Sequence, residues 1–292
     1  MEGRASKGKE NTMTSPESSM VSEDLRPYVE LPGSPPTSAG VYDTLRGGKD
    51  NFGGDRATAE QLTEIIPELP ELARANRQFL IESVETLARM EMRWFLDLGS
   101  GLPSNSPAKD DLHRVAQRIV PDTRFVYVDN NPNVAAHGRA LLATNDLVRV
   151  VEADVRNTTT LLQHPDIEAL RSGGKPGAVI AGALLHFMPD DEPRRILTTL
   201  REWMPEDSHL VLSHACPGAM SKEDLEKATA AYVAADVQIY PRPMEEIVGL
   251  FDGFEALEPG VVPLEPHRPR RTNAPVTQSG HFVGGIAVLR NR

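Results

Sequence analysis

The chain has 292 residues, 39% of them hydrophobic, and a formal net charge of -11. This length allows one large α/β domain or two small ones with a sizeable core. The acidic balance argues against a nucleic-acid binder, which would need a basic face, and the single cysteine, Cys216, excludes an internal disulfide and points to a reducing compartment. With neither an apolar run of membrane-spanning length nor a secretory signal, we expect a soluble cytoplasmic protein that does not contact a membrane.

Hydrophobic periodicity predicts the elements in chain order. Residues 1–36 are rich in Ser, Pro, Gly and Glu, which predicts a disordered or tag-like tail. Apolar spacing then predicts one helix from Ala57 and another over about 69–90, after which strands and helices alternate. The predicted strands are 94–98, 124–128, 149–152, 178–181 and 209–213, and the predicted helices between them are 111–120, 133–142, 159–170 and 192–203. A helix over about 223–235, a short helix from Met244 and strands near 254–257 and at 281–289 follow.

This alternation defines the expected fold class. The strands are too apolar to have a wet face, which favours a sheet covered by helices on both sides. We therefore predict a doubly wound, mostly parallel, seven-stranded Rossmann-like sheet with an antiparallel C-terminal edge strand. Ligands of such sheets bind beyond the carboxyl ends of the strands, so the strand ends are the positions to examine.

The first two strand ends predict a nucleoside site. Strand one ends in Asp97-Leu-Gly-Ser-Gly101, where Gly99 and Gly101 allow close approach to a ligand, although a plain strand-to-helix turn also favours glycine. Strand two ends in Asp129, whose carboxylate suits both hydroxyls of a ribose. The alternative for Asp129 is a charge at the start of the helix that Asn131-Pro132 opens.

The third strand end and a missing glycine narrow the choice of cofactor. Asp154 suits the amine of adenine, with a helix N-cap as its alternative. A dinucleotide site would need a third glycine to seat a pyrophosphate, but that position is Ser104, after Pro103. A site that has acids and glycines at the strand ends but no phosphate-binding turn favours S-adenosyl-L-methionine as the cofactor, because this compound has a positive sulfonium and no phosphate.

These motifs carry a family resemblance. Asp97-x-Gly-x-Gly101, Asp129 and Asp154 resemble the motifs of class I S-adenosylmethionine-dependent methyltransferases. From about residue 40 to the C-terminus the chain also resembles an actinobacterial S-adenosyl methyltransferase family, which was formerly a domain of unknown function. The matching segments are 41–52, 55–56, 74–77, 101–103, 127–130 and 185–190. The resemblance implies a methyltransferase domain over 91–292 and an N-terminal helical lid over 37–90 in one globular unit. The chain departs from the family over 104–114, where members usually carry Thr-x-x-Asn-x-His-Glu.

Further contacts are expected from the lid and from the strand ends. Residues 42–56 suit an ordered loop over the open edge of the sheet, or a capped turn leading into the next helix. Asn51 and Arg77 are expected to bind the carboxylate of the cofactor, and Phe52 to cover its adenine or close the substrate chamber. A surface salt bridge is the alternative for Arg77. The predicted cofactor site is completed by Ser100, Asn130, Val155 and Ala181.

Catalysis by such a site rests on alignment and on exclusion of water, since a sulfonium leaves as a neutral thioether. A general base is needed only for an acceptor that arrives protonated, and the candidates are His186, His214 and Tyr42. A packed, hydrogen-bonded residue is the alternative for His186. The acidic run 190–192 is typical of helix capping, so we predict no metal site.

The favoured function is methyl transfer to a small-molecule acceptor. The alternatives are a non-catalytic S-adenosylmethionine-binding or sensing protein and, less favoured, an NAD-dependent oxidoreductase. Neither the identity of the acceptor nor the oligomeric state follows from the sequence.

Overall fold

The computed structural model describes residues 35–103, 111–234, 237–264 and 281–290. Almost all of the predicted tail, and positions 104–110 of the segment that departs from the family, lie outside the described residues. The division into tail, lid and methyltransferase domain therefore stays a prediction.

A single mixed sheet forms the centre of the described chain. Its strands run in the order β3-β2-β1-β4-β5-β8-β6, and β7 pairs with β8. Their bounds are β1 Trp94–Leu98, β2 Arg124–Asp129, β3 Val148–Glu152, β4 Ala178–Gly182, β5 His209–Ala215, β6 Glu255–Ala256, β7 Val262–Pro263 and β8 Phe282–Val288. The first five strands are parallel, and β8 is antiparallel to β5, β6 and β7. The doubly wound fold with antiparallel C-terminal strands is thus confirmed, with the two-residue β7 as an eighth strand.

Both faces of the sheet are buried, as the apolar strands predict. Trp94, Leu96 and Leu98 contribute to the core on one face, together with residues of α8. Phe95 and Phe125 stack at 5.5 Å within the core of the other face, together with residues of α3 and α4. Full burial of each such side chain stabilises the fold by about 1.5–3 kcal/mol.

The helices begin and end as follows: α1 Ser38–Arg46, α2 Gly53–Ile65, α3 Leu69–Arg89, α4 Leu112–Ile119, α5 Pro132–Leu141, α6 Thr158–Leu162, α7 Pro165–Glu168, α8 Glu192–Trp203, α9 Lys222–Ala234 and α10 Met244–Val248. No helix in the part of the chain that the structure describes has both the length and the apolar character of a bilayer span.

Two of the predicted elements are wrong. The predicted helix over 159–170 is broken after Leu162, because Pro165 lacks an N–H and starts a new helix at its first position. The predicted loop over 42–56 is mostly helical, because Thr37 caps α1 and α2 begins four residues earlier than Ala57. Only the short segment 47–52 connects these two helices.

A buried carboxylate organises that connecting segment. Asp43 is fully buried, and its oxygens accept hydrogen bonds from the backbone N–H of Asp50 and the side chains of Arg46 and Asn51. A Cβ at Gly48 would lie 2.0 Å from the Asp43 carboxylate, so this position has no room for a side chain. Glycine, aspartate and asparagine in this segment are therefore accounted for by the turn that they build.

A second buried carboxylate fixes α1 to α2. The two oxygens of Asp55 accept the backbone N–H groups of Thr37 and Phe52, each at 2.8 Å. Arg46 adds a contact to the loop after β1, because its side chain donates to the carbonyl of Leu102 at 3.2 Å. The N-terminal helices are thus held against the loop that follows β1.

Candidate functional site

A cavity of about 350 Å³ lies at the carboxyl ends of the parallel strands. One part is lined by the loops after β1, β2 and β3, and the rest by the loops after β4 and β5 and by helices α1, α3 and α9. Its volume is in the range of small-molecule sites, and its position is the one expected for a doubly wound sheet.

The glycines after β1 have different tasks. Gly99 and Gly101 both have a positive φ, which disfavours any other residue. A Cβ at Gly99 would lie 2.5 Å from a terminal methyl of Leu184, so the loop after β4 approaches Gly99 closely. A Cβ at Gly101 would meet no protein atom within 4 Å and would extend into open space. Gly101 therefore borders open space, whereas Gly99 borders the loop after β4.

Asp129 is the last residue of β2, the position at which a ribose contact was predicted. It is 8% exposed and lines the cavity. Its Oδ2 accepts the N–H of Gly101 at 3.0 Å, and its Oδ1 accepts the N–H of Asn131 at 2.9 Å. Burial raises the pKa of Asp129, although these backbone N–H groups act in the opposite direction. Each oxygen keeps a lone pair for a hydroxyl of a ligand.

Asp97 is a buried acid beside a basic residue. It shares a face of β1 with Phe95 and is 5% exposed, and burial raises its pKa to about 7. The charge of Arg77 opposes this rise, and the charge of Asp129 adds to it. Asp97 and Arg77 both line the cavity, so the structure brings together an acidic and a basic side chain that are predicted to contact the cofactor.

Asp154 is the N-cap residue of a short turn, which is the alternative that the sequence left open, and its contact with adenine stays a prediction. Its Oδ1 accepts the N–H of Arg156 at 2.9 Å, which caps the short turn Val155–Asn157, and its carboxylate also pairs with the Arg156 guanidinium. This hydrogen bonding lowers the pKa of Asp154. Asp154 and Val155 nevertheless line the cavity, as do Ser100 and Asn130.

Three predicted contacts lie elsewhere in the structure. Asn51 donates to Asp43 and to the carbonyl of Gly48, and the backbone of Phe52 starts α2, so neither is among the described residues that line the cavity. Ala181 is buried within β4, and Gly182 lines the cavity in its place. The prediction is corrected for these residues, because the motif around Asn51 and Phe52 builds a turn and Ala181 lies one residue too early on its strand.

The hydroxyl of Tyr42 is committed to a buried hydrogen-bond chain. It donates to the carbonyl of Ala73 at 3.1 Å and accepts from Nδ2 of Asn76 at 2.7 Å. Oδ1 of Asn76 accepts the hydroxyl of Ser213 at 2.6 Å, and Oγ of Ser213 accepts the N–H of Ala183 at 3.0 Å. Burial also raises the pKa of Tyr42. This tyrosine connects α1 to α3 and β5 and is poorly suited to accept a proton.

His214 has both ring nitrogens occupied by protein atoms. Its Nδ1 donates to the carbonyl of Ala215 at 2.7 Å, and its Nε2 accepts from the guanidinium of Arg242 at 3.2 Å. Burial lowers its pKa to about 4. His214 is fully buried and is not among the described residues that line the cavity, which argues against its role as a base.

His186 does line the cavity, but its Nδ1 is occupied. That nitrogen accepts the N–H of Ala215 at 3.2 Å, so a neutral ring carries its proton on Nε2. Burial lowers the pKa of His186 well below its usual value, and the charges of His214 and Arg242 act in the same direction. The second ring nitrogen of a neutral His186 can therefore donate a hydrogen bond but cannot accept one.

Sequence reasoning missed His281. This residue lines the cavity, and its Nδ1 lies 3.2 Å from Oε1 of Glu68. The two residues are far apart in the chain, and only the return of β8 beside β5 brings them together. No local motif could have indicated this pair.

The acidic run after β4 lies at the start of α8, where Asp191 occupies the N-cap position without a side-chain cap hydrogen bond. Glu192 begins α8, and the carbonyl of Asp190 accepts from Arg242 at 3.0 Å. Across the described ranges, no group of three or more histidine, cysteine, aspartate or glutamate residues is arranged to hold a metal ion.

The fold and this site define a protein of the class I methyltransferase type, with an acid and glycines at the first strand end and acids at the next two. The chain matches the S-adenosyl methyltransferase family over residues 26–290 and belongs to that family. Comparison with curated proteins gave no match.

Solved structures agree with this membership. A protein from Thermobifida fusca that carries a methyltransferase assignment is 35% identical, with a TM-score of 0.80, and the alignment covers 91% of this chain and 100% of that one. A DUF574 family protein from Streptomyces avermitilis is 29% identical, with a TM-score of 0.79 and coverages of 87% and 98%. An O-methyltransferase family protein from Burkholderia thailandensis, 13% identical with a TM-score of 0.51 and coverages of 87% and 72%, shares the fold.

Proposed function

We propose that this protein transfers a methyl group from S-adenosyl-L-methionine to a small molecule by in-line displacement. The observation that carries the proposal is one continuous cavity with two chemically different parts. The part at Gly101, Asp129 and Asp154 is polar and acidic, and the part beyond β4 and β5 is mainly apolar. A donor and an acceptor can therefore meet in one chamber.

The polar part fits the proposed cofactor on structural grounds. Gly101 leaves open a space that a Cβ would fill, and Asp129 offers two buried oxygens for the ribose hydroxyls. Arg77 suits the carboxylate of the methionine moiety and Asp97 its ammonium group, which would favour the ionised form of this acid. When bound, S-adenosyl-L-methionine supplies a methyl group on a positively charged sulfur that leaves as a neutral thioether.

The apolar part of the cavity is where the protein's own side chains would contribute to methyl transfer. Side chains there can exclude water and hold an acceptor in line, which are the main requirements of this chemistry. They are Met188, Met220, Leu225, Tyr232, Ile239 and Phe282. A protein that only senses the cofactor has no use for such a chamber, so this feature favours an enzyme over a sensor.

A crystal structure with S-adenosylhomocysteine tests the proposal. We expect the ribose hydroxyls on Asp129 and the sulfur facing the space lined by His186 and Phe282. A ribose bound elsewhere would contradict the site, and a sulfur enclosed by protein on every side would favour the sensing function.

A further inference from the structure

We infer that Arg46 binds the carboxylate of the methionine moiety together with Arg77, so that this corner of the cavity selects ligands that carry a carboxylate. This inference rests on the proposed function and adds to it a second binding residue, which lies on helix α1. It follows from the place of the Arg46 guanidinium, from the bonds that it makes and from the positive charge beside it.

The guanidinium of Arg46 lies beside the loop that is predicted to hold the cofactor. Its Nη2 donates to the carbonyl of Leu102 at 3.2 Å, one residue after Gly101. Arg46, Gly101 and Leu102 all line the cavity. A Cβ added at Gly101 would have no protein atom within 4 Å, so open space borders this loop. A ligand that lies along the loop is therefore close to Arg46.

Neighbouring side chains fix the guanidinium in this place. Its Cζ lies 5.3 Å from the centre of the Tyr42 ring, in a cation–π contact. The hydroxyl of Tyr42 accepts from Asn76, which holds the ring against α3, and Nη2 of Arg46 also donates to Asp43 at 3.2 Å. An arginine that is already held in position loses little conformational freedom when a ligand binds. Arg46 is thus pre-organised for a ligand.

Arg46 also has hydrogen-bonding capacity that the protein leaves unused. Its side chain is 11% exposed, and within the described residues its hydrogen bonds are made by Nη2 alone, while its Nε is buried without a partner. The carboxylate beside it, that of Asp43, accepts from Asp50 and Asn51 as well. Because a buried charged donor without an acceptor costs free energy, a ligand carboxylate beside Arg46 would stabilise the protein.

Arg77 brings a second positive charge to the same corner. It follows Asn76 on α3, the residue that bonds the hydroxyl of the Tyr42 ring under Arg46. Burial lowers the pKa of Arg46, and the charge of Arg77 acts in the same direction. A bound anion relieves the repulsion between two such cations. Since Asp97 lies beside Arg77 and suits an ammonium group, this corner matches both ends of an amino acid.

Arg46 takes the place that the sequence suggested for Asn51. Both side chains donate to the carboxylate of Asp43. Of these two donors, Arg46 is the one among the described residues that line the cavity. The turn between α1 and α2 therefore uses Asn51 for its own structure and leaves Arg46 beside the ligand space.

Two ligands that differ in the carboxylate test the inference. They are S-adenosylhomocysteine and its decarboxylated analogue, in which an aminopropyl chain replaces the amino acid, and calorimetry on the full chain measures both affinities. The wild type should bind S-adenosylhomocysteine about a hundredfold more tightly, because each of two guanidinium contacts contributes about tenfold. Equal affinities would mean that no cation contacts the carboxylate and would overturn the inference.

Arg46→Gln isolates the contribution of this residue. The ratio of the two affinities should fall about tenfold, since S-adenosylhomocysteine loses a charged donor and the analogue does not. Arg74→Gln is the matched control and should keep the wild-type ratio, because Arg74 is an exposed arginine of α3 that pairs with Glu71. If both ligands lose affinity equally in Arg46→Gln, or if neither does, Arg46 does not bind the carboxylate and the inference is overturned.

A crystal structure of the wild type with S-adenosylhomocysteine gives a second test that does not depend on the folding of a variant. We expect an oxygen of the carboxylate within hydrogen-bond distance of the Arg46 guanidinium, and a carboxylate bound away from Arg46 would overturn the inference. If S-adenosylhomocysteine does not bind the wild type, the proposed function fails. If it binds and the affinity ratio does not depend on Arg46, the inference fails and the proposed function stands.

Discussion

The buried carboxylate of Asp97 should make the protein less stable as the pH rises. The pKa of Asp97 is about 7 in the folded protein, against 3.8 for an unperturbed aspartate, because burial disfavours the charged form. Between these values the folded state holds a proton that the unfolded chain has released, so unfolding becomes easier as the pH increases. The loss begins above pH 3.8 and is complete above about pH 7.

The full displacement of this pKa corresponds to about 4 kcal/mol, at about 1.4 kcal/mol per pKa unit. Between about pH 5 and about pH 8, Asp97 should account for about 2.5 kcal/mol of lost stability. Asp97→Asn cannot ionise, so its free energy of unfolding relative to the wild type should rise by this amount over that interval. The assay is urea denaturation of the unliganded protein at several pH values.

Asp146→Asn is the matched control, because the Asp146 side chain is fully exposed and its replacement should leave the pH dependence unchanged. If Asp97→Asn and the wild type lose stability in parallel from about pH 5 to about pH 8, the folded protein holds Asp97 ionised and the reasoning is refuted.

Three further substitutions test other parts of the structure. Asp129→Ala should weaken binding of S-adenosylhomocysteine at least about tenfold by calorimetry, from loss of a buried acceptor that contributes about 1.5–3 kcal/mol; wild-type affinity would show that the ribose lies elsewhere. Tyr42→Phe removes the hydroxyl that Asn76 donates to and should lower the free energy of unfolding by about 1–3 kcal/mol, whereas an unchanged urea midpoint would argue against the buried chain. Gly48→Ala places a Cβ on the Asp43 carboxylate and should cost about 1–3 kcal/mol while cofactor affinity is kept; equal stability would mean that the turn can relax.

The strand ends could be predicted from the sequence because their signals are local. An apolar run followed by Asp97 and two glycines defines both a strand and the turn after it, and Asp129 ends the next apolar run. In a parallel sheet such ends meet at one edge, so these residues come together whatever the details of packing. Both acids line the cavity in the structure.

The N-terminal region was predicted less well for two reasons. The signals for α1 were present, since Thr37 is a suitable N-cap and Gly47 ends the helix in the left-handed conformation, but the many polar residues between them favoured a loop. Asn51 has an amide that suits a ligand carboxylate as well as it suits Asp43, and only the packing of Asp43 into the protein decides between them.

Interactions between distant parts of the chain were not predictable in this way. Nδ1 of His186 and both ring nitrogens of His214 are bonded to the backbone of β5 or to Arg242, and no spacing in the sequence indicates these bonds. The same is true of the pair formed by His281 and Glu68, which exists because an antiparallel strand returns to the sheet.

The central claim is that the cavity holds S-adenosyl-L-methionine, and calorimetric titration of the wild-type protein with this compound, S-adenosylhomocysteine and NAD tests it most directly. The account predicts binding of both sulfur compounds at one site per chain, with affinity reduced in Asp129→Ala, and no binding of NAD. Binding of NAD alone, or of neither sulfur compound, would contradict it.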